Sequence, residues 1–247
     1  MMGGAFRLPL PSGERVGVRG FDVRSRISTA EPPHPALSPR GRGVIALALA
    51  LSACAAQPVG PAAAVPEASG GWRAVASAPD RLRLRGWRDA WVKALGQARA
   101  AGHGGDIAAE GPLVDPDSAI APVALPAGEY RCRTIKLGTP PGGALPWVSY
   151  PAFRCRIDPA GEGGFAFAKL SGSQRPVGRI FPDTARRMIF LGTLQLGDEQ
   201  GTLRYGHDQE RDMAGIVERI GERRWRIAFP SPHFESLTDI VELVPAS

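Results

Sequence analysis

The chain has 247 residues, 43% of them hydrophobic and 22% charged, proportions that exclude a wholly disordered polypeptide and suit one or two domains. No apolar run approaches the roughly 20 residues of a membrane-spanning helix. The formal charge of +6 is concentrated at the front, where residues 1–53 hold seven arginines and three acidic residues; from Cys54 onward 23 basic residues face 21 acidic ones, which removes the electrostatic case for a nucleic-acid partner.

The first 43 residues fit no folded pattern. Leu8-Pro-Leu-Pro-Ser-Gly-Glu-Arg-Val-Gly-Val-Arg-Gly20 and Pro33-His-Pro-Ala-Leu-Ser-Pro-Arg-Gly-Arg-Gly43 resemble translated intergenic palindromic repeats. The expectation is a leader that takes no part in the fold, with translation starting close to Val44.

Residues 44–53 have a clearer logic. Arg40 and Arg42 precede eight apolar residues, Val44 to Leu51, and then Leu51-Ser52-Ala53-Cys54. Positive charge, a short apolar stretch and small residues before a processing point are the layout of a secretory signal. The four-residue motif resembles the lipobox of bacterial lipoproteins. That resemblance implies thioether formation at Cys54, cleavage before it and acylation of the new terminus. Ala55 rather than Asp after the cysteine implies an outer-membrane rather than an inner-membrane destination, facing the periplasm. Multiple acyl chains would anchor such a protein stably. Residues 54–71, rich in Ala, Pro and Gly, show neither helical nor strand periodicity and read as a flexible tether.

Residues 72–127 read as a helical segment and connector. One amphipathic helix is predicted, opened by Pro79-Asp80 with Asp80 as N-cap, carrying Leu84, Trp87, Trp91, Leu95 and Ala98 on one face and ending at Gly102. Two tryptophans four residues apart suit a helix laid across a sheet or plugging a barrel end better than a membrane-surface helix. His103, among glycines at the helix end, suits capping. A short helical turn is expected near Ile107–Glu110.

From Gly128 the hydrophobic period becomes two. Strands are predicted over residues 129–137, 147–158, 164–170, 177–181, 187–194, 213–220, 224–229 and 237–244, separated by Gly- and Pro-rich turns. Trp225, Ile227 and Phe229 alternate with Arg226 and Ala228, as in a half-buried antiparallel strand. Eight short strands without intervening helices predict a mainly β fold: an antiparallel up-and-down meander over residues 128–247, closing into a small lipocalin-like (calycin) barrel. An open β-sandwich is the alternative.

Cys132 and Cys155 are the two cysteines left once Cys54 is lipidated. They stand in similar contexts, Tyr130-Arg-Cys132-Arg and Phe153-Arg-Cys155-Arg. In each an aromatic two residues earlier shares the strand face, and in an oxidising compartment the pair predicts a disulfide. Ligand spacing for a metal is missing, and no phosphate loop or nucleophile elbow occurs; no cofactor is expected.

Two polar segments remain. Lys169-Leu-Ser-Gly-Ser-Gln174-Arg175 and Tyr205-Gly-His207-Asp208-Gln-Glu210-Arg211-Asp212 lie between strands, where simple solvated loops are the plainer reading. Lys169, Gln174, Arg175, Tyr205, Asp208 and Arg211 stand as candidate ligand contacts at a barrel mouth. No catalytic residue is assigned, although the His207–Asp212 stretch offers an acid and a base. His233 has no evident role.

Trp87-Arg-Asp-Ala-Trp91, both cysteine motifs, the Lys169–Pro176 segment, Arg211-Asp-Met-Ala-Gly215 and Glu218-Arg-Ile-Gly-Glu-Arg-Arg-Trp225 resemble the family called domain of unknown function 4893, over about residues 72–245. The resemblance implies an exported bacterial protein and supplies no catalytic residues. The expected function is a non-catalytic, lipid-anchored envelope protein whose barrel binds a small apolar ligand or an envelope protein. An envelope-acting hydrolase using the His207–Asp212 loop is the rival.

Overall fold

The computed structural model describes residues 70–246; the leader, the apolar signal, Cys54 and nearly all of the tether lie outside the described residues. Four helices come first: α1 (Gly71–Val75), α2 (Ala78–Arg85), α3 (Trp87–Ala100) and α4 (Gly104–Glu110), the last running into a 3-10 turn at Gly111–Leu113. Eight strands follow: β1 (Gly128–Leu137), β2 (Trp147–Pro159), β3 (Phe165–Lys169), β4 (Gln174–Thr184), β5 (Arg187–Leu196), β6 (Asp212–Gly221), β7 (Arg224–Pro230) and β8 (Thr238–Pro245). Each pairs antiparallel with its chain neighbours, and β8 pairs with β1. The predicted meander is therefore a closed up-and-down barrel and not a sandwich. Closure leaves no free sheet edge.

The period-two pattern determines what fills it. Tyr130, Cys132, Ile157, Phe167, Ile180, Phe190, Val217, Ile227 and Leu243 point inward and form one apolar cluster. Phe190 stands edge-on to Phe167, with ring centroids 5.8 Å apart, and to Phe229 at 5.3 Å. Two glycines make room for it. Gly178 and Gly192 are direct partners across β4 and β5, and a Cβ on Gly192 would sit 2.5 Å from the Phe190 ring and 2.3 Å from the Val177 carbonyl oxygen.

One end of the barrel is sealed by the chain entering β1. Val123 and Leu125 pack into the interior cluster. The Trp225 indole donates to the Val123 carbonyl at 2.6 Å, and the Tyr130 hydroxyl donates to that of Pro126 at 2.5 Å.

Cys132 and Cys155 form the predicted disulfide, with Cα atoms 5.9 Å apart. Register brings them together: Cys132 faces Phe153 and Cys155 faces Tyr130 across β1 and β2, so the sulfurs are diagonal neighbours on the inward face.

The helical region departs from the single helix expected. The cap is Ser77: its hydroxyl oxygen accepts from the Asp80 amide at 3.2 Å and donates to the Asp80 carboxylate at 2.8 Å, so Asp80 is the third helical residue and not the cap. Gly86, a weak helix former, separates α2 from α3. The break lets each half cover different strands. Leu84 packs with Ile189, Leu191, Ala214 and Ile216, whereas Trp91, Ala94, Leu95 and Ala98 pack with Ile135, Leu137, Ala228 and Ile240. The helices thus lie across the outside of the barrel, and the sealing of its end falls to residues 123–126.

This coat corrects the half-buried reading of β7. Arg226 faces outward yet is wholly buried beneath the helices. It donates to Glu218 at 2.7 and 3.0 Å and to the carbonyls of Pro112, Leu113 and Asp115 at 2.8, 3.1 and 2.6 Å.

Candidate functional site

Opposite the sealed end the barrel is open. Four connections surround the opening: those leading from β1 to β2, β3 to β4, β5 to β6 and β7 to β8. Inside lies a cavity of about 340 Å³, at the small end of the roughly 300–1,000 Å³ typical of ligand pockets. Phe153, Pro176, Leu194, Met213, Phe229 and Val241 supply apolar wall, and Phe229 joins the cavity to the edge-to-face aromatic trio that it forms with Phe190 and Phe167. Thr134, Lys136, Lys169, Gln174 and Asp239 add polar groups. Tyr150 and Phe234 stand at the rim with substantial exposure.

Strand parity places the charged groups there. Thr134 and Lys136 continue the inward face of Tyr130 and Cys132 along β1. Asp239 continues that of Val241 and Leu243 along β8, and Lys169 that of Phe167 on β3. The Lys136 ammonium lies 3.0 Å from Asp239 and 3.4 Å from Glu235. Burial works against its charge, but the two carboxylates outweigh burial and hold its pKa above the usual lysine value.

Lys169 has a different setting. Its Nζ donates to the Gln174 carbonyl at 2.8 Å and lies 3.7 Å from the Phe153 ring centroid. Gly172 closes the loop over it, since a Cβ there would be 3.1 Å from Nζ and 2.9 Å from the Phe153 ring. Burial, together with the positive charge of Lys136, lowers its pKa to about 8.

Of the sequence-derived contacts, Lys169, Gln174 and Arg211 line this mouth. Arg211 is held there by ion pairs with Glu199 and Asp208. Arg175 turns away and donates to the carbonyls of Leu196 and Glu199, at 2.8 and 3.3 Å, tying two loops together. Asp208 caps the Glu210 amide at 3.0 Å outside the cavity. His207 is exposed and does not reach the cavity. The same loop brings Glu210 and Asp212 to the mouth, and His233 joins from the β7–β8 connection.

Tyr205 belongs to a second polar cluster, beneath α2. Its hydroxyl accepts from the Ser77 amide at 2.9 Å and donates to Asp80. Arg83 pairs with Asp80 and also donates to the Asp212 carbonyl at 3.1 Å. Burial, followed by Asp80, raises the Tyr205 pKa. Burial likewise pushes up the Asp212 carboxyl, of which one oxygen accepts from the Gly206 amide at 2.8 Å and the other has no partner among the described residues. This cluster fastens the helical coat to β6.

Sequence reasoning missed Thr134, Lys136, Phe229 and Asp239 as mouth residues. Each shares strand parity with a residue that the structure places in the interior, so the period-two pattern carried the signal once one inward position on the strand was known. Among the described residues, no group of three His, Cys, Asp or Glu side chains is placed to hold a metal ion. Residues 72–243 match the family model described as Domain of unknown function (DUF4893). Comparison with curated proteins and with solved structures yields no match.

Proposed function

The chain belongs to the DUF4893 family, and on that premise we propose that its barrel is a non-catalytic binding module that takes a small, partly apolar ligand through the open mouth. The observation behind this reading is the asymmetry of the interior. One half is packed with aromatic and aliphatic side chains beneath a sealed end, and the other is an apolar-walled cavity with convergent polar groups. A barrel built only as a scaffold gains nothing from leaving the second half unfilled, because each void forgoes packing energy. The rival reading draws its acid and base from the His207–Asp212 loop; of that loop Glu210, Arg211 and Asp212 reach the cavity, and His207 does not. Substituting Met213→Trp would fill the mouth. Native mass spectrometry of the purified full chain after incubation with an organic extract of bacterial envelopes should show a bound small molecule in the wild type and none in this variant. Equal occupancy of both proteins, or of neither, would remove the reading.

The segment before the barrel supports a place for this module. The apolar stretch ending in Leu51-Ser52-Ala53-Cys54 supports lipid anchoring in the bacterial envelope, at the periplasmic face of the outer membrane. Cells fed labelled palmitate should incorporate it into the wild-type chain and not into Cys54→Ala. Labelling of both, or of neither, would refute the anchor.

A further inference from the structure

We propose that the mouth selects a monoanionic amphiphile, a carboxylate on a short apolar chain, whose anionic oxygens are received by the ammonium of Lys169. This deepens the reading of the barrel as a small-ligand binder and rests on it.

Charge pairing at the mouth is uneven. Lys136 is matched by Asp239 and Glu235, and Arg211 by Glu199 and Asp208. Lys169 is only 5% exposed, yet among the described residues no carboxylate lies within 4.0 Å of it. One of its three N–H groups goes to the Gln174 carbonyl, and the ammonium rests against the Phe153 ring. A buried ammonium without a counter-ion is unfavourable, and an anion entering the cavity would relieve that directly.

The surroundings narrow the choice of anion. Asp239, Glu235, Glu210 and Asp212 also border the mouth, so a dianion such as a phosphate monoester would gain one unpaired cation and meet four carboxyl groups. A single carboxylate meets less repulsion. Its apolar remainder finds Phe153, Leu194, Met213, Phe229 and Val241, and the volume of about 340 Å³ suits a short chain. The lowered pKa of Lys169, set by burial, Lys136 and Arg175 against the pull of Asp239, agrees with a cation awaiting a partner.

The test is calorimetric titration of the purified full chain at pH 7 with octanoate, octan-1-ol, octylamine and acetate. Octanoate should bind about ten- to a hundredfold tighter than octanol, the span expected of one charge-assisted hydrogen bond, and far tighter than acetate or octylamine. In Lys169→Met and Lys169→Gln, octanoate and octanol should bind alike. Equal binding of octanoate and octanol by the wild type would overturn the role of Lys169 while leaving the cavity as a binding site. Tightest binding of octylamine would move recognition to the carboxylates. Acetate binding as well as octanoate would remove the apolar half of the proposal. No binding of either octanoate or octanol would overturn both this inference and the reading beneath it.

Discussion

The guanidinium of Arg226 lies 4.6 Å from the centroid of the Trp91 ring, joining the outer face of the barrel to the helix that covers it. Arg226 also engages Glu218 and three carbonyls around the 3-10 turn, so one side chain holds strand, helix and connector together. Replacing it with Met would leave Glu218 buried without a counter-ion and three carbonyls without donors. The expected loss is about 3–5 kcal/mol, read as a lower urea midpoint at unchanged slope. Arg226→Lys keeps the charge but not the planar fork, and should recover only part of the loss. A loss below about 1 kcal/mol in Arg226→Met would show that the coat is held by apolar contact alone.

This arginine also marks where sequence reading reaches its limit. All eight strands were legible, because inward apolar residues recur every second position and Gly- and Pro-rich turns separate the runs. The same logic assigns polar alternates such as Arg226 to solvent, and it cannot see that helices from earlier in the chain will cover that face. Lys136 and Asp239 escaped for the complementary reason. Their parity with Cys132 and Val241 placed them inside, but a lone charge in a strand reads as a solvated residue until its partner, 103 positions away in sequence, is known. The Gly86 break was a composition signal overridden by the continuous apolar stripe from Leu84 to Ala98.

Tyr205 and Asp80 separate attachment of the coat from ligand binding. Tyr205→Phe removes the donor to Asp80 and the acceptor for the Ser77 amide, and should cost about 1–3 kcal/mol. The loss should be local. Hydrogen exchange of residues 77–85 should accelerate before that of β5 or β6, and titration with octanoate should be unaltered. Unchanged exchange with weakened octanoate binding would instead make Tyr205 a ligand contact.

The bridge between Cys132 and Cys155 closes a loop of 23 residues in sequence separation, for which chain entropy predicts a stabilisation of about 3–4 kcal/mol. Cys132→Ala with Cys155→Ala should lower the denaturation free energy by about that amount. The wild type in strong reductant should approach the double variant, and the double variant should not respond to reductant. Because the sulfurs lie inside the wall formed by β1 and β2, loss of the bridge should also loosen the mouth at Phe153 and weaken octanoate binding. A double variant as stable as the wild type would mean that strand pairing alone secures this wall.

Lys169 carries a pH signature of opposite sign to that of an ordinary salt-bridged lysine. Its folded-state pKa is about 8 against an ordinary 10.5, because burial and Lys136 oppose the charge. Below pH 8 both folded and unfolded chains hold the proton, and the folded state bears the full penalty. Between pH 8 and 10.5 the unfolded chain keeps a proton that the folded chain sheds, so this group makes stability rise with pH; above 10.5 its contribution is constant. The shift corresponds to about 3 kcal/mol, reduced in practice by the lost contacts to Gln174 and Phe153. Lys169→Met should therefore be more stable than the wild type by about 1–3 kcal/mol at pH 7, with the gap closing by pH 10.5. Octanoate should narrow the same gap at pH 7 by stabilising the wild type, which binds it more tightly, more than the variant. Comparing the two proteins by chemical denaturation from pH 6 to 10.5 cancels the titrating groups that do not interact with Lys169, leaving Lys169 and its coupling to Lys136 and Asp239. A destabilised variant whose deficit does not depend on pH would show that this ammonium is structural and not poised for an anion.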